Sequence, residues 1–374
     1  MKQSTADRLR STAGFTLVET LVAVLVVSLV MGAAFTGVMH GTRLSENVRL
    51  ASGVNGSLRS SMDVVVRDLI QAGQGLPNGH RAGVPNGTGF AAIKRPIPAS
   101  GSTDFKGFTT FNLAASLPAI SVGYQLGINT SDTITILADD SRFSGIGVSA
   151  ISAGTSSATA TVVSTRNISV TNGGANNIVP GDLIDIQYGG GDVLMTVTAV
   201  SGQVITFGTD NTIDTLGLNQ FGTNTDPSVK SGSINDVLSG TVDVTQVSLS
   251  RIKMTSYYIF RDSTTDSRYP RLLRRVNGRD PSTVAFAIEN FTLTYDLAST
   301  DIEYHGINMS TADLAGTGAC IDGTTNRPCS EDWIRKANLV IAGRSIDKTA
   351  QKNYITSSVF GQIATRSLAF QDRF

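Results

Sequence analysis

Glu19 has the clearest chemical problem in the chain. It stands at the mouth of an apolar run, Thr20 to Met39, that holds no charged residue. A carboxylate there is costly, and it persists where it has a cation to meet or a task to perform. Other chemistry-bearing side chains are sparse. His40, His80 and His305 are the only histidines, and none lies in H-E-x-x-H or beside Gly-x-Ser-x-Gly. Asp139-Asp140 and Asp301-x-Glu303 are close carboxylate pairs of a kind that can share acid–base work, but in Ser/Thr-rich loops such pairs are mostly solvated surface. Arg271, Arg274 and Arg275 cluster near Tyr269 and could meet phosphate, but strand alternation would split them between two faces. Gly189-Gly190-Gly191 lies between two strand patterns, whereas a phosphate loop needs a helix N-terminus. These residues predict no enzyme, no cofactor and no metal site.

The element that positions Glu19 is the run itself. Twenty helical residues rise about 30 Å, the thickness of a bilayer's hydrocarbon core. A basic leader precedes it, which should hold that end in the cytoplasm and leave the rest outside. A secretory signal peptide has a shorter apolar core and a small-residue cleavage site after that core, whereas here Gly14 comes before it. A plain anchor would explain the length but not the acid.

The order Gly14-Phe15-Thr16-Leu17-Val18-Glu19, directly ahead of a spanning run, resembles the type III signal of type IV pilins and of the pseudopilins of type II secretion. The resemblance implies that prepilin peptidase cuts between Gly14 and Phe15 and that the new N-terminal Phe15 is methylated. It further implies that Glu19 pairs with the N-terminal amine of a neighbouring subunit during assembly.

Past Met39 the helical period continues. Leu44, Val48, Ala51, Leu58, Met62, Val65 and Leu69 draw an apolar stripe, with Arg43, Glu46, Arg49, Arg59, Asp63 and Arg67 mostly off it. No proline occurs before Pro77. Gly53 and Gly56 weaken the helix by about 1 kcal/mol each and mark a place for a bend or local melting. The end is expected at Gly73 to Gly75, where small residues allow close approach and Gly75 can take positive φ. The segment 63–75, DVVVRDLIQAGQG, resembles the end of the first helix in PilW-type minor pilins, a family related to the J-type minor pseudopilins. Arg67, Asp68, Leu69, Ala72, Gly73 and Gly75 carry that likeness.

Gly, Ser, Thr, Asn and Asp are plentiful and aromatics few, as in a fold of short strands and many turns. The formal charge is zero. Loss of the leader removes Lys2, Arg8 and Arg10 against Asp7, so the mature chain turns slightly acidic and offers no basic footprint for nucleic acid. Cys320 and Cys329 are the only cysteines. In an exported domain they read as one disulfide, whose loop closure is worth roughly 2.5–3 kcal/mol. Free thiols are the alternative, and zinc would need ligands the chain does not cluster. Asp322 and Asn326 between them supply too few oxygens for calcium.

The remainder reads as β. Residues 76–130 are mostly loop. Strands are expected at 132–137 and 182–188, with a hairpin over 193–207 turning at Ser201-Gly202. Residues 145–174 fit either a strand pair or a flexible insertion, and 211–231 reads as a long loop. Further strands are expected at 251–260, 271–276, 284–297 and 333–344, with a tight turn at Asn277-Gly278. Their order, Tyr-Tyr-Ile, then Leu-x-Arg, then aliphatic-Glu-x-Phe, then the strand from Trp333, again resembles the PilW-type C-terminal sheet.

The expected fold class is α+β and pilin-like, a long N-terminal helix packed on a large antiparallel β-rich domain. The expected divisions are a cleaved leader at 1–14 and a helix at 15–75 (transmembrane to about 40, amphipathic from 41). A β-rich domain follows at 76–374, with a variable middle near 138–245. The family likeness implies a minor type IV pilin that helps initiate or cap pilus assembly. The alternatives are a minor pseudopilin of type II secretion and a pilus-displayed adhesin or DNA-binding tip subunit. The implied partners are prepilin peptidase, other minor pilins, the major pilin and the inner membrane, with a surface or DNA ligand at the filament tip. The implied location is a single-pass inner-membrane protein with a cytoplasmic N-terminus and a periplasmic domain, and then the pilus at the cell surface.

Overall fold

The computed structural model describes residues 16–76, 81–86, 89–99, 102, 104–111, 116–123, 131–140, 142–143, 145–163, 178–222, 232–261, 269–297, 309–310, 314, 331 and 334–365. One helix, α1, runs unbroken over Leu17–Ile70 for 54 residues, about 80 Å at 1.5 Å per residue. The helix does not melt at Gly53 or Gly56, and Val54 and Leu58 beside them are buried in the domain. Burial of that face outweighs the local propensity cost.

The helix stops at Gln71, and the chain turns through Gly73 and Gly75, both at positive φ (75° and 71°). Gly73 N–H donates to Leu137 O at 2.8 Å, and Asp139 N–H donates to Gln74 O at 2.8 Å, so the helix exit is sewn to the strand Thr133–Asp139. A Cβ on Gly75 would lie 2.5 Å from Asp139 Cβ. Gly75→Ala therefore combines left-handed strain with a backbone-proximal clash. Thermal unfolding of that variant should report a loss of about 1–3 kcal/mol, and an unchanged midpoint would refute the assignment.

The antiparallel domain is built around the 13-residue strand Ser248–Phe260. Its first half pairs with Leu183–Tyr188 and with the start of Ile146–Ala153, and its second half with Thr133–Asp139 and Arg271–Val276. One strand thus serves two large cores, and its Tyr258 and Phe260 form a small third cluster with Ile97 and Leu273. The larger core joins Leu58, Val65 and Leu69 of α1 to Ile136, Tyr257 and Leu272, and to Phe291, Leu339 and Ile341 of a second sheet. That sheet has four strands in the order Met309–Ser310, Ile288–Leu297, Ile334–Arg344, Thr356–Ala364. The smaller core gathers Phe143, Val148, Ile184, Met195, Phe207 and Leu249. The fold is the α+β arrangement expected from the sequence, a long apolar helix and a large antiparallel β-rich domain.

Several local expectations change. The packed stripe on α1 starts at Val54, and Leu44 and Val48 are 66% and 61% exposed. The neighbouring strand begins beside Asn55, whose Oδ1 accepts from Ser357 Oγ at 2.8 Å, so among the described residues no strand lies beside the earlier turns. Residues 76–130 contain short strands, of which Ile120–Gly123 is the longest described. Residues 145–163 form a hairpin, Ile146–Ala153 against Ser157–Val162.

The hairpin expected over 193–207 is split. Gly191–Thr196 pairs back to Leu183–Tyr188 through the turn at Gly189 and Gly190, and only Ala199–Ser201 pairs with Val204–Gly208. Asn219 fills the break: it accepts from Thr196 N–H at 2.8 Å and donates to Thr196 O and Gly208 O at 2.7 Å each. The 211–222 segment that carries Asn219 is irregular but internal, with Asp214, Leu216 and Leu218 buried. The single strand expected at 284–297 breaks at Ala287 (φ 58°), where the chain leaves one sheet for the other. Ala287 O accepts from Arg344 N–H at 2.9 Å and so joins the second sheet. Asn277 (φ 50°) and Gly278 (φ 70°) make the expected tight turn.

Candidate functional site: the bare helix and its anchor

The free half of α1 begins in a capping box. Thr16 Oγ1 accepts from Glu19 N–H at 3.3 Å, while Glu19 Oε2 accepts from Thr16 N–H at 3.0 Å and from the Thr16 hydroxyl at 3.1 Å. Both bonds to the carboxylate fall on Oε2, which leaves Oε1 without a hydrogen bond among the described residues. Glu19 therefore has a local task that the family likeness did not supply. The Thr-x-x-Glu spacing was its signal in the sequence.

Beyond Glu19 the side chains face outward. Leu17 is 80% and Phe35 71% exposed, and the most apolar window of α1 has mean hydropathy 2.5 with none of it buried in the domain. Each such side chain gains about 1.5–3 kcal/mol on full burial, so the run as a whole demands an apolar surrounding worth tens of kcal/mol. Hydroxyls within the run satisfy themselves. Thr20 donates to Leu17 O at 2.8 Å, Ser28 to Val24 O at 2.7 Å, and Thr36 to Gly32 O at 2.8 Å. In this form they can enter hydrocarbon. The helix is long and apolar enough to cross a membrane.

The other half of α1 is held by a polar anchor. Asp68, 6% exposed, accepts from Tyr257 Oη at 2.6 Å, from Arg274 Nε at 2.8 Å and from Lys253 Nζ at 3.2 Å. Arg274 Nε also reaches Tyr257 Oη at 3.1 Å. Lys253 and Tyr257 are four apart on the long strand and so share a face, and Tyr257 stands opposite Arg274 in the ladder. Burial alone would raise the Asp68 carboxyl, but the Arg274 and Tyr257 hydrogen bonds and the Lys253 and Arg274 charges outweigh it, and its pKa falls below the ordinary value. Burial and the Asp68 charge push the Tyr257 phenol up, so it remains a donor.

The other singled-out residues do structural work or lie elsewhere. Arg275 faces away from Arg274, stacks on Phe108 at 4.1 Å and donates to the carbonyls of Gly107, Gly278 and Arg279. The arginine cluster is split as alternation required. Asp140 is ion-paired with Arg251 at 2.5 Å, and Asp139 packs under Gly75. Gly189-Gly190-Gly191 is a hairpin turn and strand start, with no helix behind it. His40 is exposed on α1. Among the described residues no group of His, Cys, Asp or Glu could hold a metal. Gly14, Phe15, His80, Asp301, Glu303, His305, Cys320, Asp322, Asn326 and Cys329 lie outside the described residues.

Residues 9–35 match the family model described as the prokaryotic N-terminal methylation motif. The chain carries this type IV pilin-like signal, and the matched stretch includes Gly14, Phe15, Glu19 and the start of the bare helix. No curated protein and no solved structure matches the chain.

Proposed function

We propose that this chain is a minor type IV pilin, a non-enzymatic structural subunit that helps initiate or cap a filament at the inner membrane. The carrying observation is the methylation motif over residues 9–35 leading into a helix whose apolar half is not buried against any of the described residues. Prepilin peptidase removes residues 1–14 and methylates Phe15. The mature helix waits in the membrane with the domain in the periplasm, and then leaves lipid for contacts with the helices of other minor pilins and the major pilin. Glu19 pairs with the α-amino group of a neighbouring subunit, a role its unbonded Oε1 leaves room for. Cys320 and Cys329 close a disulfide in the oxidising compartment.

Mass spectrometry of the mature protein from producing cells tests the reading. An N-terminal methyl-Phe15 is the expected product. A chain clipped beyond Met39, with the apolar run gone, would overturn it. A pseudopilin of type II secretion would show the same N-terminus and differ in the filament it joins. One observation favours a further role as a displayed binding subunit: the smaller core forms a module of its own on the long strand, away from α1. Binding of the purified full chain to DNA or to surface glycans would support that role.

A further inference from the structure

The second sheet ends on Thr356–Ala364, which among the described residues pairs only with Ile334–Arg344. The register is continuous from Lys336↔Ala364 to Arg344↔Thr356, without a bulge. Ser345 N–H donates to Ile355 O at 2.7 Å, and Thr365 N–H donates to Arg335 O at 3.0 Å, which fixes the phase of the ladder. Bonded and non-bonded pairs alternate in antiparallel strands. Ser357, Val359, Gly361 and Ile363 therefore bond inward, while Thr356, Ser358, Phe360, Gln362 and Ala364 turn their backbone N–H and C=O to the open edge. The strand has no charged residue and no proline. Natural edges are protected by charge, proline, bulges, shortness or cover, and this one has none of these among the described residues.

The face beneath the edge is already used. Asn55 meets Ser357 at 2.8 Å, and a Cβ on Gly361 would lie 3.0 Å from Met62 Sδ. On the other face Phe360 is 65% exposed beside Val340, its ladder partner. These contacts also give a direction. Asn55 lies at Ser357 and Met62 at Gly361, so α1 and the edge strand run in the same sense. Antiparallel pairing of two copies along this edge would point their apolar helices in opposite directions, which no single bilayer can accept from one side.

We propose that Thr356–Ala364 receives an extended strand from a different polypeptide, adding a fifth strand to the sheet, with Phe360 and Val340 as the apolar anchor beside the new backbone ladder. The choice of a different chain over a second copy rests on the membrane-anchored reading of α1. The test is made on the full chain in the cells that produce it. A benzophenone amino acid replaces Ser358, Phe360 or Gln362 in turn, with Gln203, exposed on a turn of the other sheet, as the control. The expected result is a ladder: the three edge positions join one segment of one other protein at residues two apart, and position 203 does not.

Ser358→Pro deletes an outward N–H and no bond to Ile334–Arg344, and Ser358→Lys adds the charge that natural edges carry. Each should cut the adduct at position 362 by about tenfold with the thermal midpoint held. Absent or scattered adducts, adducts to a second copy, or a ladder untouched by a folded Ser358 variant would each overturn the proposal. The N-terminal mass read in the same sample separates its failure from failure of the membrane reading.

Discussion

Asp68→Ala is expected to cost about 3 kcal/mol or more, because it strands the Arg274 guanidinium and the Tyr257 phenol around a cavity instead of removing a whole ion pair. The measurement is the urea midpoint of the full chain in detergent. Tyr257→Phe removes one donor and leaves the charges paired, so its cost should be nearer 1 kcal/mol. The pH dependence has a definite sign. The folded pKa of Asp68 is depressed, so its stabilisation is fully present above the unfolded value near ~3.9 and is lost as pH falls through the lower folded value. In Asp68→Asn that acid-limb contribution should be absent. An Asp68→Ala chain as stable as the parent, with an unchanged acid limb, would remove the anchor from the account. The anchor also has a mechanical sense, since it fixes the domain to the last turn of α1, at the end away from the free rod.

The second large effect concerns Glu19, and here a conservative change separates two roles. Glu19→Ala should leave cleavage after Gly14 intact and abolish incorporation into filaments. Glu19→Gln can still close the capping box with Thr16, because an amide oxygen accepts the same backbone N–H. It cannot neutralise a neighbour's amine. If charge is the essential property, Glu19→Gln fails as completely as Glu19→Ala, and N-terminal processing stays normal in both. Normal assembly by Glu19→Gln would assign the residue to the cap alone, whose loss costs only about 1 kcal/mol. Normal assembly by Glu19→Ala would remove both roles.

Much of the fold was legible because it rests on short-range rules. The absence of proline up to Leu76 and the 3.6-residue period foretell α1, and the glycines at 73 and 75 foretell its stop. Alternation foretells the strands at 133–139, 183–188, 271–276 and 334–344, and the split of Arg274 from Arg275. The errors fall where a neighbour far along the chain decides. Ala287 takes positive φ because its carbonyl is claimed by Arg344, and the arm at 193–196 leaves its expected partner because Asn219 bonds into the break.

The anchor makes the same division plain. Asp68, Tyr257 and Arg274 could each be picked out in isolated fragments of the primary structure, since each belongs to a short pattern. They are separated by 189 and 206 residues from Asp68, and no periodicity relates them. Residue order alone was enough for an apolar rod with an acid at its entrance, because hydropathy and helical period act over a few turns. Packing alone set how far that rod sinks into the domain, which carboxylate locks it there and which strand is left at the edge. Those outcomes depend on which surfaces meet when two cores close on a shared strand, and burial of that kind is a property of distant partners.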